Sequence, residues 1–177
     1  MRPGGALGSL VRWLTGEPAM PEGRLAAIYV AEDAGQPMRR LTEARALQGA
    51  GVEGDRYAAG RGYWRRTDGC EVTLIAAADL RRAERRSGIA FSDGEHRRNL
   101  VVEGVPLDAF RGCEAEIGEV LLAFERLRPP CGYLEQRLGR GASKALGRGA
   151  GVCLRVVRGG VLRVGDPVRL RERRSGS

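Results

Sequence analysis

The chain has 177 residues and a mass of 19.1 kDa, room for one domain and a short appendage. With 42% hydrophobic and 29% charged residues it is neither disordered nor fibrous, and no apolar run reaches the ~20 residues of a transmembrane helix. Lys+Arg exceeds Asp+Glu by 30 to 22, a net charge of +8, but Lys144 is the only lysine and aromatics are 5%. An arginine-rich solvated surface with few stacking residues predicts neither a nucleic-acid partner nor a membrane partner.

Residues 1–22 contain three prolines, and Leu7, Leu10, Val11 and Leu14 fall on one stripe of a short helix, an appendage to the body. Arg12 interrupts the apolar stretch, so it is too weak for a secretory signal, and a cytoplasmic location is expected. Cys70, Cys113, Cys131 and Cys153 form no CxxC pair, which argues against zinc or iron–sulfur sites and predicts four free thiols in a reducing compartment. Strand patterns follow at 24–31 and 38–47, and then a glycine-rich stretch at 49–62 ends in Tyr63 and Trp64. Residues 71–75 predict a buried strand. Residues 76–86 predict a helix with Leu80 and Ala83 on one side and Gly88 as its stop. Strands are expected at 99–102, 115–117 and 119–124, with Pro129 and Pro130 ending the run. A glycine-loosened helix is expected at 133–146, a hairpin from 152–157 and 161–164, and a polar tail over 171–177. About seven short strands and two helices without regular alternation predict a mainly β fold, a barrel or sandwich with helical insertions.

Three clusters carry chemistry. In Gly51-Val52-Glu53-Gly54-Asp55-Arg56, glycines permit close backbone approach to a ligand, although a tight turn held by an Asp–Arg pair has the same sequence. In Asp93-Gly94-Glu95-His96-Arg97-Arg98-Asn99, strand alternation would place Arg97 and Asn99 on one face and His96 and Arg98 on the other. A guanidinium and an amide together suit a phosphate or a polar heterocycle; a charged strand entry with a surface histidine fits equally. In Arg128-Pro129-Pro130-Cys131-Gly132, prolines fix the backbone around an uncrowded thiol, a ligand or nucleophile unless it is a core filler. Cys70, Cys113 and Cys153 lie in or beside apolar strands and read as core fillers.

The order of these clusters resembles the MOSC domain, named for the C-terminal part of molybdenum-cofactor sulfurases. The matching pieces are 51–56, 72–75, 94–102, 104–107, 117–122, Pro130-Cys131 and 159–168, and the resemblance spans 24–170. It implies a barrel-like MOSC domain over 23–170 in a small stand-alone member. It also implies a role with the molybdenum cofactor, a phosphate-bearing pterin dithiolene. By resemblance, Cys131 is the metal ligand or sulfur carrier, a soft thiolate suited to such a metal. Arg97 and Asn99 match the cofactor-binding pattern. Arg98, Gly54 and Asp55 are weaker matches to it, and His96 is a weaker candidate for catalysis beside Cys131. The implied activity is reduction of N-hydroxylated small molecules or carriage of sulfur; the alternative is a non-catalytic module that binds or delivers the cofactor or an anion. The chain is too short for the pyridoxal-phosphate domain of full sulfurases, and Lys144 in a glycine-rich segment is a poor Schiff-base residue, so pyridoxal phosphate is not expected. Without iron–sulfur spacing or a dinucleotide-binding glycine motif, electrons or sulfur must come from a separate donor.

Overall fold

The computed structural model describes residues 20–62 and 70–173. The expected helix around Leu7–Leu14 and the Tyr63-Trp64 pair lie outside them. Eleven strands are found among the described residues: β1 Glu22–Val30, β2 Arg39–Leu41, β3 Glu43–Leu47, β4 Gly51–Val52, β5 Val72–Ala76, β6 Leu100–Glu103, β7 Cys113–Ile117, β8 Val120–Leu127, β9 Val152–Arg158, β10 Gly160–Arg163 and β11 Pro167–Glu172. Three helices, α1 Ala77–Ser87, α2 Gly132–Leu138 and α3 Ala142–Leu146, complete the set with two short 3-10 turns.

Seven strands run in the order β11-β7-β8-β9-β5-β6-β1, and β1 pairs back onto β11, so the sheet closes into a barrel and most edges disappear. β2 attaches to β1. The single parallel pair is β5 with β6; α1 lies between them in the chain and supplies the crossover that parallel strands need. β5 shows why the fold is layered. All five of its residues are buried, Val72, Leu74 and Ala76 in the barrel core and Ile75 in a second core beneath the helices. A strand covered on both faces reads as a continuous apolar run. α1 buries Ala77, Leu80 and Ala83 in that second core and ends at Gly88, whose φ of 70° a side chain rarely adopts. No described helix is long and apolar enough to cross a membrane.

Several expectations need correction. Residues 38–47 are two strands in two sheets, because the chain bends at Thr42, whose carbonyl accepts from Val164 N. The segment 161–164 does not form a hairpin with 152–157. β10 instead pairs with β3 in a small sheet, β10-β3-β4, since 49–52 brings a partner alongside. The expected tail is partly strand, as Arg171 and Glu172 belong to β11 against β7. The helix expected at 133–146 is split, with Gly139 and Gly141 at φ 96° and 100° in the break. The four thiols are not all free: Cys70 and Cys153 form a disulfide between the segment entering β5 and its neighbour β9, 83 residues apart. Cys113 and Cys131 remain free.

Candidate functional site

β8 ends at Leu127, and the chain then crosses through Arg128, Pro129 and Pro130 to Cys131 and α2. Arg128 N donates to Gly151 O, tying this crossing to the start of β9. Cys131 is half-buried and immediately precedes α2; its carbonyl accepts from Leu134 N and Ser143 Oγ. Glu135 accepts from Gly141 N and Ser143 N at 2.8 Å each, which lowers its pKa and fixes α3 behind the thiol.

In front of Cys131 lies a cavity of about 850 Å³. It is lined by Arg56, Arg97, Arg98, Arg126 and Arg128, by Tyr57 and Tyr133, and by Ala34, Gly35, Pro129, Pro130, Gly132, Leu134 and Gln136. Among the described residues five arginines and no carboxylate line this hollow, a field that favours an anionic ligand.

Four of these arginines are held by different devices. Arg56 pairs with Asp55 at 3.0 Å, both deeply buried, and stacks on Tyr57 with its guanidinium carbon 4.7 Å from the ring centroid. Asp55 also accepts from Ala31 N and Tyr57 N. Arg97 adopts φ 59°, the one non-glycine residue in the left-handed region among the described residues. Its Nη1 donates to Gln36 O at 2.6 Å and its guanidinium lies 5.4 Å from the Tyr133 ring. Burial, then Arg56 and Arg137, lower its pKa. Arg98 Nε donates to Ala150 O at 2.7 Å. Burial, then Arg128, pushes its pKa down to about 9. Arg128 Nη2 donates to the Tyr57 hydroxyl at 3.2 Å.

The structure therefore brings Cys131, Arg97 and Arg98 to one cavity and leaves His96, Asn99, Gly54 and Asp55 out of its lining. Strand alternation does not apply at 96–99, because β6 starts only at Leu100 and the backbone turns at Arg97. Adjacent arginines consequently reach the same hollow. Asn99, expected beside Arg97, is fully buried. Its Oδ1 accepts from Thr73 N and Oγ1, and its Nδ2 donates to Tyr29 O, a junction between β1 and β5. His96, expected to take part in catalysis, is also fully buried, edge-on to Tyr29 with centroids 5.2 Å apart. Its Nδ1 accepts from Arg98 N, so the proton of the neutral ring sits on Nε2. Asp55 stands behind Arg56 as its counter-ion, and Gly54, at φ 77°, turns the chain into it.

Sequence reasoning placed none of Arg56, Tyr57, Arg126, Arg128 or Tyr133 in a binding site, although it offered Asp55 and Arg56 as a turn-holding pair, which they form. A signal was present in part: Arg126 and Arg128 lie two apart where β8 ends, directly before Pro129-Pro130-Cys131.

Residues 64–169 match the MOSC domain. The chain belongs to the MOSC domain family. Among solved structures it is similar to YuaD of Bacillus subtilis, at 15% identity and TM-score 0.71, with 86% of this chain and 97% of that one covered. It is also similar to YiiM of Geobacillus stearothermophilus, at 18% identity and TM-score 0.64, covering 87% and 77%. YiiM of Escherichia coli follows, at 17% identity and TM-score 0.58, covering 86% and 72%. At these identities the likeness is one of fold. No curated protein matches the chain.

Proposed function

We propose that this MOSC protein binds the molybdenum cofactor in the arginine-lined cavity and reduces N-hydroxylated small molecules, with Cys131 as the protein's ligand to the metal. The observation that carries this reading is the position of Cys131: a partly exposed thiol opens into the same hollow as five guanidinium groups. The family is associated with that cofactor, and the residues fit it on two counts. A buried guanidinium nitrogen of the cavity wall, Arg98 Nη2, has no hydrogen-bond partner, as a site for an anionic oxygen requires. Among the described residues Cys131 is the only His, Cys, Asp or Glu on the cavity lining, which suits a metal whose remaining ligands come from the organic group.

When bound, the cofactor supplies a metal that exchanges two electrons and an oxygen atom. The chain's own residues bind and orient it. Cys131 presents its sulfur from a backbone fixed by Pro129 and Pro130, Arg97 and Arg98 face the anionic part, and Tyr57 and Tyr133 form apolar walls. The volume of about 850 Å³ accommodates a pterin-sized ligand with a small substrate beside it. Electrons come from a separate donor.

The test is molybdenum and pterin analysis of the full chain from a molybdate-fed host. Near-stoichiometric metal in the wild type and loss in Cys131→Ser are expected; equal metal in both removes the ligand role. Loaded protein is then assayed with a hydroxylamine-type substrate and reduced viologen. Turnover supports the oxidoreductase, whereas a bound cofactor without turnover assigns binding and delivery. A persulfide on Cys131, read by mass spectrometry after incubation with a sulfur donor, assigns sulfur carriage.

A further inference from the structure

Between β1 and β2 the chain forms a strap, residues 32–37, every one of them exposed. Both ends of the strap are fixed. Ala31 N donates to Asp55 Oδ1 and Ala31 O accepts from Arg56 N, while Met38 Sδ accepts from Arg56 Nη1. Between those ends, arginines from three distant segments tie the strap to the body through its backbone carbonyls. Arg61 Nε donates to Glu32 O at 3.1 Å and pairs with Asp33. Arg137 Nη1 donates to Gly35 O at 2.9 Å, and Arg97 Nη1 donates to Gln36 O at 2.6 Å.

Two of these arginines meet on one ring. The guanidinium carbons of Arg97 and Arg137 lie 5.4 and 5.8 Å from the ring centroid of Tyr133, and Arg137 Nη1 also donates to the Tyr133 hydroxyl at 3.2 Å. Gly35, at φ 87°, brings the strap against that hydroxyl: a Cβ there would lie 3.7 Å from it. This latch joins the strap to α2, the helix that begins directly after Cys131. The strap also borders two hollows. Ala34 and Gly35 line the cavity of Cys131, whereas Glu32, Asp33, Gln36 and Pro37 line a second hollow of about 390 Å³. Exposed residues beside two hollows have little packing to hold them, so the position of the strap rests on these hydrogen bonds.

We infer that residues 32–37 form a movable wall of the site, latched by Arg137 and Arg97 at Tyr133, and that this latch determines how large a molecule reaches Cys131. Latched, the strap narrows the approach and the site serves small ligands. Released toward the second hollow, it admits bulky ones. Arg137 is not on the cavity lining, so it sets specificity as a positioning residue, through the strap and Tyr133. That the admitted molecule is a substrate rests on the reading above; access to the thiol does not.

Full-length protein from cells grown without molybdate is labelled with N-methylmaleimide and, separately, with N-pyrenylmaleimide, and modification of Cys131 is read by peptide mass spectrometry. The two reagents share one reactive group. The ratio of the pyrenyl to the methyl rate, divided by the same ratio for glutathione, therefore cancels the thiolate fraction and reports access. In the wild type a normalised ratio of about one tenth or lower is expected. Arg137→Ala is expected to raise it about tenfold, because the labelling rate follows the open fraction and a charge-assisted bond to the strap is lost. Arg61→Ala, at the other end of the strap, is expected to raise it about threefold. Arg140→Ala is the control: an exposed arginine beyond α2, with the same change of charge, is expected to leave the ratio unchanged.

A wild-type ratio equal to that of glutathione, or an unchanged ratio in Arg137→Ala, overturns the inference. An equal rise in Arg140→Ala also overturns it, since charge and not the latch is then responsible. If Arg137→Ala does not fold, Arg61→Ala decides, and no rise there overturns the strap. Molybdenum content of the wild type and Cys131→Ser tests the cofactor reading separately. Protein that holds metal through Cys131 behind an open approach sinks this inference alone, and a latched approach to a thiol that binds no metal sinks only the other.

Discussion

The segments 54–57 and 96–99 both deliver arginines to the cavity, and they balance them in opposite ways. The first carries its own counter-ion. Asp55 is 1% exposed, pairs with Arg56 and caps two backbone amides, so that segment is electrostatically complete. The second carries none. His96 is neutral, Asn99 is spent on Thr73 and Tyr29, and Arg98 keeps an unpartnered nitrogen. Arg56 thus has its counter-ion within the chain, whereas Arg98 Nη2 has no hydrogen-bond partner among the described residues. Counting arginines around a hollow does not separate these cases; asking where each buried charge finds its opposite does.

That contrast can be broken at Asp55 first. Asp55→Ala strands Arg56 and two amides, and a loss of about 3–5 kcal/mol is expected in urea unfolding. A loss under ~1 kcal/mol would mean that Arg56, too, tolerates isolation. Next comes the amide junction. Asn99→Ala removes three hydrogen bonds in a dry setting and is expected to cost ~2–4 kcal/mol without lowering the molybdenum content of the folded protein. A large drop in content would return Asn99 to the binding site.

His96 sharpens the comparison by pH. Burial first, and Arg98 second, hold its pKa down to about 3, so the folded ring stays neutral while the unfolded chain takes up a proton near 6.5. The sign follows: its contribution is complete above pH 6.5 and falls as pH drops through the window from 6.5 to about 3. The expected slope approaches ~1.4 kcal/mol per pH unit. Urea midpoints at pH 7.5 and 5 measure it, and His96→Gln should remove this part of the fall. The smallest effect belongs to an arginine that needs no balance. Arg24, exposed and paired with Glu103 at 2.6 Å, is expected to give an unfolding midpoint within experimental error of the wild type when changed to alanine.

Much of the barrel was legible. Residues 71–75 announced a buried strand because Val72 and Leu74 meet one apolar core and Ile75 the other, and 76–86 announced a helix because Leu80, Ala83 and Gly88 obey helical spacing and termination. The errors fall where pairing is long-range. β10 looked like the return strand of a hairpin and instead found β3, more than 100 residues earlier. Cys153 looked like one more apolar filler until Cys70 was set against it by the β5–β9 register. In the candidate site, Cys131 and the two arginines stood out by type and context. The face assigned to Asn99 did not hold, since one residue in the left-handed region resets which way its successors point.

The amino-acid sequence alone determined the strand-rich core and the family pattern and singled out Cys131 as the candidate thiol, because apolar periodicity, glycine placement and a Pro-Pro-Cys step are local properties of the chain. Only the tertiary structure decided which charges share a hollow and which of them are balanced. Burial and counter-ions depend on segments far apart in the chain, Arg56 and Arg98 on one side and Arg126 and Arg128 on the other, that no local pattern connects.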